Sequence, residues 1–430
     1  MRISDETKKQ YQQILKEELV VALGCTEPIA IAYGAAIARD VLGVQPQRIK
    51  VCCSGNIIKN VKGVIVPNSG GLKGVEAAAV LGVIGGNADK SLAVLEDINQ
   101  AQIEAAHALL KRRYCQVELM ENIPGLDILI HLYHEQDHVS VQIKQTHTNV
   151  IRIVKNQEIL LDRPCDDSDL NASLTDRSCL NIRAIYEFAS HTDLSAVKPL
   201  LEDQIRYNLA IAEEGIKKGY GAQVGPSLLA KASDNFHKAI AYAAAGSDAR
   251  MSGCTMPVVA NSGSGNQGIT ASVPVIVYAQ ENNLSHERLL QALAFSNLVT
   301  VRLKTGIGRL SAYCGVVCAA CGAMSAITYL QNGTMKQIEH TIINTLGSIS
   351  GMVCDGAKPS CAAKIASALY SGMIAQNLAM CGHVFEPDTG IIQQDIEKTI
   401  DAIGVLGRIG MRETDHCILD MMLHPLDGSI

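Results

Sequence analysis

Tryptophan is absent from this 430-residue sequence, and phenylalanine occurs only four times. A core without large aromatic rings has to be built from aliphatic side chains and alanine, and a hydrophobic content of 47% supplies enough of them. The 19% of charged residues is typical of globular proteins and excludes an intrinsically disordered chain. At this length we expect two or three packed units rather than one core.

A surplus of positive charge is also missing, since the formal net charge is -6. Without a basic stripe, nucleic acid is not expected as a partner. The first residues lack the apolar core of an export signal. Two uncharged stretches, residues 251–280 and 310–330, are rich in Gly, Ser, Asn or Cys, and polar glycine loops do not cross lipid unsupported. We therefore expect a soluble cytoplasmic protein with no membrane partner, in which the fourteen cysteines stay reduced.

Common cofactor motifs are absent as well. The sequence contains no Gly-x-Gly-x-x-Gly after a strand, no P-loop, no His-Glu-x-x-His and no obvious lysine motif for pyridoxal phosphate. These absences argue against a dinucleotide, a nucleoside triphosphate or a zincin-type metal, and they direct attention to the cysteines.

The order of patterns predicts an α+β fold. Residues 1–43 and most of the chain after residue 178 have helical periodicity. Between them lie a short strand at 48–53, a candidate strand at 61–66, helices at 72–84 and 90–113, and four alternating segments that predict an antiparallel sheet at 116–120, 127–134, 138–144 and 149–154. An Asp- and Ser-rich stretch at 165–178 predicts a linker. We expect a helical catalytic domain formed by residues 1–44 and 175–430, with an α/β domain inserted at 45–174 and the active site between them.

Three histidines in the predicted sheet resemble a metal cluster at first sight. On a strand, however, His131 and His134 point to opposite faces, and His138 lies beyond a turn. We interpret them as surface residues of the strands.

Five cysteines are concentrated within residues 310–361. In a cytosolic protein such a group is more typical of a soft metal or an iron–sulfur cluster than of disulfides. Cys318 and Cys321 fall with Cys314 at positions i, i+4 and i+7 of an apolar helix, where packing is the commoner role. Cys354 and Cys361 flank an Asp-Gly-Ala-Lys-Pro-Ser loop, which is better able to turn thiolates toward a cluster.

Cys25 precedes a predicted helix that has Pro28 at its first position and Thr26 near its N-cap. The positive end of a helix tends to lower the pKa of a nearby thiol, so a reactive thiol is one interpretation and a small apolar residue at a helix junction is the other.

Two loops share the sequence Asn-Ser-Gly, at residues 67–71 and 260–265. Glycine-rich turns expose consecutive backbone N–H groups, and Asn and Ser add uncharged donors, which suits a carboxylate. An ordinary tight turn is the alternative for each loop alone. The candidate substrate-binding residues of the two loops are Asn68, Ser69, Ser262, Ser264 and Asn266.

Several of these segments together resemble the L-cysteine desulfidase family over nearly the whole chain. The segments are Gly-Cys-Thr-Glu-Pro at 24–28, Ser-Gly-Asn at 54–56, Val-Pro-Asn-Ser-Gly at 66–70, Gly-Ser-Gly-Asn-Gln-Gly at 263–268, Ser-Ala-Tyr-Cys-Gly at 311–315 and Val-Cys-Asp-Gly-Ala-Lys at 353–358. The C-terminal helical part is similar, more distantly, to the catalytic α region of iron–sulfur L-serine dehydratases.

The resemblance implies an oxygen-sensitive [4Fe–4S] enzyme that splits L-cysteine into pyruvate, ammonia and sulfide. Cys25, Cys314 and Cys354 match cysteines that the family requires, and Cys361 matches a further cluster thiolate by analogy with the dehydratases. On this basis Cys314, Cys354 and Cys361 are the expected iron ligands, one iron stays open as a Lewis acid, and Cys25 is an acid–base thiol. The rival assignment makes Cys25 the third ligand.

The implied mechanism places the substrate carboxylate on the Asn-Ser-Gly loops, with Lys358 and Arg309 as candidate positive charges or simple surface residues. A base, with Cys25 as the candidate, would remove the Cα proton while iron polarises the leaving sulfur.

Three other functions remain open at this point. An iron–sulfur L-serine dehydratase differs by one substrate atom, a non-catalytic thiol or metal redox protein would bind a cluster without releasing pyruvate, and a helical protein with filler cysteines would bind none. The oligomeric state is not determined by the sequence, although a homodimer is unsurprising for a 45.9 kDa metabolic enzyme.

Overall fold

The computed structural model describes residues 3–121, 123, 125–165 and 174–424. The fold is α+β with a helical body, as predicted from the sequence. Most of the predicted linker, residues 166–173, lies outside the described residues. Among the residues described, every helix is too short or too polar to cross a lipid bilayer.

The α-helices follow the predicted periodicity over most of the chain. In order they are α1 Asp5–Glu18, α2 Thr26–Leu42, α3 Gly55–Val61, α4 Gly74–Gly85, α5 Gln100–Lys111, α6 Ile182–His191, α7 Lys198–Lys217, α8 Val224–Leu229, α9 Asn235–Met251, α10 Gly265–Glu281, α11 His286–Ile307, α12 Gly315–Leu330, α13 Met335–Ile349, α14 Cys361–Met380, α15 Ile396–Val405 and α16 Arg412–Leu423. A 3₁₀ helix spans Ala88–Ala93, and a π-helical turn spans Leu406–Gly410.

The strands form two sheets. They are β1 Val21–Leu23, β2 Arg48–Ser54, β3 Cys115–Met120, β4 Asp127–His134, β5 Asp137–Lys144, β6 Val150–Lys155, β7 Glu158–Asp162 and β8 Pro257–Val259. The larger sheet has the order β3-β2-β4-β5-β6-β7, and β1 pairs antiparallel with β8 in the smaller one.

The larger sheet is mixed, so the prediction of a wholly antiparallel set was wrong. β3 runs parallel to β2, with Ile49 opposite Cys115, whereas the other pairs are antiparallel. The chain between these two strands contains α3, α4 and α5, which is the long helical crossover that a parallel pair needs. The sequence analysis also missed β7, a short and largely exposed strand at the edge of the sheet.

Two local predictions were also wrong. Helix α3 begins after its N-cap Ser54 and includes Val61, where the second candidate strand was predicted to start. Only an isolated bridge between Ile65 and Lys73 remains of the second candidate strand. The helix predicted from residue 90 begins at Gln100, because Ser91 has a positive φ of 49° inside the preceding 3₁₀ segment.

Buried side chains form two hydrophobic clusters. The first contains α1 and the helices from α6 onward, and the second contains the larger sheet with α2, α4 and α5. Helices α1 and α2 therefore contribute to different cores, although β1 alone separates them in sequence. The division into residues 1–44 with 175–430 and an insertion at 45–174 stays a prediction.

Candidate active site

A short antiparallel contact brings two distant cysteines together. Tyr313 and Val353 form an isolated bridge, in which the Cys314 N–H donates to the Met352 carbonyl at 3.0 Å and the Cys354 N–H donates to the Ala312 carbonyl at 2.6 Å. Because both backbones are held, the two side chains leave the bridge as neighbours. Cys314 is the N-cap residue of α12 and has an extended backbone, so it lies outside the helical stripe in which the sequence analysis placed it.

The two thiols are close enough for each to change the pKa of the other. The Cys314 side chain lowers the pKa of Cys354 to about 6, against the effect of burial and with help from the positive charges of Lys59 and Lys304. The Cys354 side chain, together with burial, raises the pKa of Cys314 well above its ordinary value. One thiol of the pair is therefore disposed to ionise at neutral pH, and the thiolate is the form that binds iron.

Cys361 completes a group of three. It is the first residue of α14, its thiol faces the Gly356 carbonyl at 3.7 Å, and it interacts electrostatically with Cys314 and Cys354. Burial is the main cause that raises the pKa of Cys361. By contrast, Cys318 and Cys321 lie inside α12 and are fully buried.

Positive charges surround these thiols. Lys304 on α11 is only 4% exposed and makes no ion pair with a described residue, and burial lowers its pKa. Lys59 on α3 is 2% exposed and pairs with Asp415 on α16. Both ammonium groups interact favourably with a negative charge on Cys354. Such a setting suits several thiolates at one place.

The donor set fits an iron–sulfur cluster in its chemistry, since the Cys314 and Cys354 thiols are neighbours, the Cys361 thiol interacts with both electrostatically, and buried cations lie beside Cys354. In the described part of the chain, no three His, Cys, Asp or Glu side chains stand in a ready metal-binding arrangement. The Cys361 thiol, bonded to the Gly356 carbonyl, would have to turn to join the other two.

Cys25 is the N-cap residue of α2, and its thiol donates to the Glu27 Oε2 atom at 3.1 Å. Burial and the Glu27 carboxylate raise the pKa of Cys25 well above its ordinary value, although Arg250 acts in the opposite direction. The prediction of a lowered pKa was therefore wrong, because both effects outweigh the helix dipole. Helix α2 also starts two residues before Pro28, at Thr26.

Glu27 is a buried carboxylate that the sequence analysis did not select. It is 8% exposed and accepts hydrogen bonds from Cys25, from Thr26 Oγ1 at 3.1 Å and from Asn60 Nδ2 at 3.0 Å. Burial alone would raise the pKa of Glu27, but His147, Cys25 and Arg250 outweigh it and hold the pKa below its usual value. Its place inside the Gly-Cys-Thr-Glu-Pro turn was the available indication.

The first Asn-Ser-Gly loop packs against the turn that carries Cys25. A Cβ atom on Gly24, where φ is +58°, would overlap the Pro67 ring. Asn68 Nδ2 donates to the Leu95 carbonyl at 3.0 Å, which ties the loop to the segment before α5. Ser69 Oγ donates to the Leu72 carbonyl at 3.2 Å, directly after the loop. Both side chains are therefore used to hold the loop in place.

The second Asn-Ser-Gly loop lies on the other side of the same turn, where Thr26 Oγ1 donates to the Gly263 carbonyl at 2.8 Å. Ser262 Oγ donates to Asn261, and Ser264 is the N-cap of α10. Asn266 Oδ1 accepts from Arg250 Nη1 at 3.2 Å. Both loops therefore adjoin Cys25, and α10 begins beside it.

The two candidate positive charges have carboxylate partners. Lys358 is half-buried and pairs with Asp355, and Arg309 Nη2 donates to Glu18 Oε1 at 3.0 Å. Arg309 also comes near the second loop, since its Nη1 atom lies 3.2 Å from the place of a Cβ on Gly263.

Two buried residues near these loops were missed from the sequence. Arg250, at the end of α9, donates from Nε to the Gly24 carbonyl at 3.1 Å. His147, in the turn after β5, packs against Gly263, and burial lowers its pKa to about 4. Neither lies in a glycine- or cysteine-containing motif, so no local pattern indicated them.

The histidines of the sheet have other partners. His131 Nδ1 and His138 Nε2 lie 2.9 Å apart with stacked rings, and His134 Nδ1 is 2.9 Å from the Gln45 carbonyl.

Comparison with known proteins identifies the family. A family model described as the serine dehydratase alpha chain matches residues 89–420, which include the three grouped cysteines but not Cys25. The chain belongs to the serine dehydratase alpha chain family. This family is one of iron–sulfur dehydratases, which are lyases, and membership implies a cluster.

Relatives similar over the full length have names that carry no activity. A UPF0597 protein of Treponema denticola is 48% identical over 429 residues, covering 98% of this chain and 100% of the relative. A UPF0597 protein of Desulfitobacterium hafniense is 49% identical over 425 residues, covering 99% of each chain. Another from Fusobacterium nucleatum is 46% identical over 424 residues, covering 97% of this chain and 99% of the relative.

Proposed function

We propose that this protein is a carbon–sulfur lyase that eliminates sulfide from L-cysteine and releases pyruvate and ammonia. The observation that carries the proposal is the meeting of Cys314 and Cys354, with Cys361 beside them, in a chain of the iron–sulfur dehydratase family. The preference for cysteine rests on the motifs that resemble the L-cysteine desulfidase family.

Cys314, Cys354 and Cys361 would hold a [4Fe–4S] cluster. When bound with only three protein thiolates, such a cluster supplies one open iron as a Lewis acid for the leaving sulfur, and it also makes the enzyme sensitive to oxygen. Lys304 and Lys59 would offset the negative charge that the thiolates bring into a buried place.

Cys25 holds its proton on Sγ, because burial and Glu27 both favour the neutral thiol. We therefore propose that Cys25 starts the cycle as a thiol, passes its proton along the hydrogen bond to Glu27, and then accepts the Cα proton of the substrate on Sγ. Glu27 fixes the direction of that proton through its hydrogen bond with Sγ, and it is itself held by Thr26 and Asn60. This arrangement keeps the acid–base group oriented and away from bulk water.

Substrate binding is proposed at the two Asn-Ser-Gly loops on either side of Cys25. The side chains of Asn68, Ser69 and Ser262 are used within the loops, so backbone N–H groups are the available donors there. Ser264 and Asn266 lie at the start of α10, where the positive end of the helix favours an anion. Lys358 would contribute only by exchanging its partner Asp355.

L-Serine dehydration is the second candidate, and the match to the serine dehydratase alpha chain family favours it. The test is kcat/KM for L-cysteine and L-serine with anaerobically reconstituted protein. A higher value for cysteine is expected, and a higher value for serine would replace the proposal. Iron binding without pyruvate release from either amino acid would indicate a non-catalytic thiol protein.

A further inference from the structure

Arg250 is a buried guanidinium group without a carboxylate partner. It is 4% exposed, and no carboxylate oxygen of a described residue lies within 4.0 Å of its nitrogens. Its two hydrogen bonds go to neutral oxygens, from Nε to Gly24 at 3.1 Å and from Nη1 to Asn266 Oδ1 at 3.2 Å. The Glu27 carboxylate interacts with Arg250 electrostatically but makes no ion pair with it. A buried charge without a direct ion-pair partner is costly, so Arg250 is expected to bind an anion that is not part of the described chain.

The unpaired charge lies at the positive end of a helix. Gly265 is the first residue of α10, and a Cβ atom on it would overlap Arg250 Nε. The lack of a side chain at this position therefore makes room for the guanidinium group. Helix α10 has 17 residues, and its positive end therefore lies beside the Arg250 guanidinium group. A guanidinium group and a helix N-terminus at one place both favour an anion.

Two buried polar atoms on either side of this region also lack a hydrogen-bond partner. His147 is 6% exposed and its Nε2 atom makes no hydrogen bond. Gln267 is 4% exposed and its Oε1 atom, which lies against Gly315 next to Cys314, makes none. The His147 ring lies 3.0 Å from the place of a Cβ on Gly263, directly before α10. Buried polar groups are normally hydrogen-bonded, so the free Nε2 atom of His147 indicates a polar ligand beside Gly263.

The other positive groups near the loops are less suitable. Arg309 is bonded to Glu18 and Lys358 to Asp355, so each would have to give up a carboxylate before binding another. Arg250 needs no such exchange. A planar guanidinium group is also the side chain best matched to a carboxylate.

We propose that Arg250 and the first turn of α10 bind the α-carboxylate of an amino-acid ligand, and that His147 Nε2 accepts a hydrogen bond from its ammonium group. The inference deepens the proposed function and depends on it only for the identity of the amino acid. Neither Arg250 nor His147 belongs to the proposed iron ligands.

The test uses two small thiols, each with one half of the recognised group. 3-Mercaptopropionate has the carboxylate without the amine, and cysteamine has the amine without the carboxylate. Binding of each to the anaerobically purified full chain is measured by calorimetry, together with the iron content. Because no turnover is needed, the result is independent of whether the protein acts on cysteine.

Two variants should separate the two halves. Arg250→Met is expected to weaken the binding of 3-mercaptopropionate by roughly tenfold to a hundredfold, which is the effect of losing one charged hydrogen bond. The affinity for cysteamine should not change. His147→Phe is expected to weaken the binding of cysteamine and to leave the affinity for 3-mercaptopropionate unchanged. Arg250→Lys keeps the charge without the planar fork and should give an intermediate loss.

Other variants guard against a purely structural effect. Gly265→Ala displaces the Arg250 side chain and should also weaken the binding of 3-mercaptopropionate. It replaces Arg250→Met in the test if that variant does not fold. Arg302→Gln removes a partly buried guanidinium group that already has Glu397 and Asp401 as partners, and should not change the ratio of the two affinities. Three results with Arg250→Met would each overturn the proposal. They are an equal loss of affinity for both small thiols, an unchanged affinity for 3-mercaptopropionate, and a loss of iron together with the loss of binding.

Discussion

Tyr313 and Val353 face each other in an antiparallel bridge, and this contact decides where Cys314 and Cys354 lie. Forty residues separate the bridged positions, and α12 and α13 fill that interval. The two backbone hydrogen bonds at the bridge hold the cysteines as neighbours, so each thiol changes the pKa of the other. The paired thiols are the part of the molecule on which the proposed chemistry depends most.

Removing any one of the grouped thiols should remove the cluster. Cys314→Ala, Cys354→Ala and Cys361→Ala are each expected to lose most of the iron, because two thiolates do not replace three. Iron and acid-labile sulfide per chain, with the visible absorption spectrum, measure the loss after anaerobic purification.

The matched control is Cys318→Ala, which deletes a fully buried sulfur inside α12 and should keep its iron. Retention of iron by Cys314→Ala and Cys354→Ala would refute the ligand assignment. Loss of iron in Cys25→Ala with retention in Cys361→Ala would support the rival assignment.

The carboxylate of Glu27 should control the titration of Cys25. In Glu27→Gln the negative charge is gone, so the pKa of Cys25 is expected to fall and alkylation of its thiol to begin at lower pH. Iodoacetamide rates between pH 6 and 10 (about the useful range of the reagent), followed by mass spectrometry of the Cys25 peptide, give the midpoint.

Cys52 is the internal control in the same samples, because Glu118 rather than Glu27 is the carboxylate beside it. An unchanged midpoint for Cys25, or an equal shift of both cysteines, would contradict the assignment of this effect to Glu27.

Glu17 should stabilise the fold in a pH-dependent way. Burial alone would raise the pKa of Glu17, but hydrogen bonds from Thr175 and Arg177 outweigh it and hold the pKa below its usual value. A carboxyl whose folded-state pKa is lowered stabilises above its unfolded pKa of about 4.3, and this contribution is lost as the pH falls through the folded-state pKa. Glu17→Gln should therefore lower the free energy of unfolding by about 1 kcal/mol at neutral pH.

Urea unfolding of the two proteins at pH 7 and at acidic pH measures the difference, which should shrink below the unfolded pKa. Glu158→Gln, on the exposed edge strand β7, is the control and should have no comparable effect. A difference that is the same at both pH values would show that the lost stability is not due to the ionised carboxylate.

Gly24 should be more sensitive to substitution than another glycine with similar backbone. Gly43 has φ +83° with open space around it, so Gly43→Ala carries only the backbone penalty of about 1 kcal/mol. In Gly24→Ala the new Cβ would also overlap Pro67, and the total is expected to be about 2–4 kcal/mol.

Because Pro67 belongs to the first Asn-Ser-Gly loop, Gly24→Ala should also reduce activity, whereas Gly43→Ala should not. Urea unfolding and initial rates measure the two effects. Equal losses of stability in both variants would mean that the Pro67 contact is not important.

The amino-acid sequence by itself determined the α+β class, most helices, the bounds of five strands to within one residue, and the cysteine-rich segment. Hydrophobic periodicity, turn residues and the spacing of cysteines reflect interactions between residues that are close together in sequence. They can therefore be recognised without knowledge of the tertiary contacts. This is why β4 was located at its observed bounds and why Cys318 and Cys321 were placed inside a packed helix.

Only the tertiary structure decided which of these residues act together. The parallel pairing of β2 with β3, the meeting of Cys314 with Cys354 and the unpaired charge of Arg250 depend on contacts between residues far apart in sequence. The raised pKa of Cys25 has the same origin, because burial and the orientation of Glu27 overrode the helix end that favoured ionisation. Desolvation and charge–charge distance are properties of the folded interior, and no window of sequence contains them.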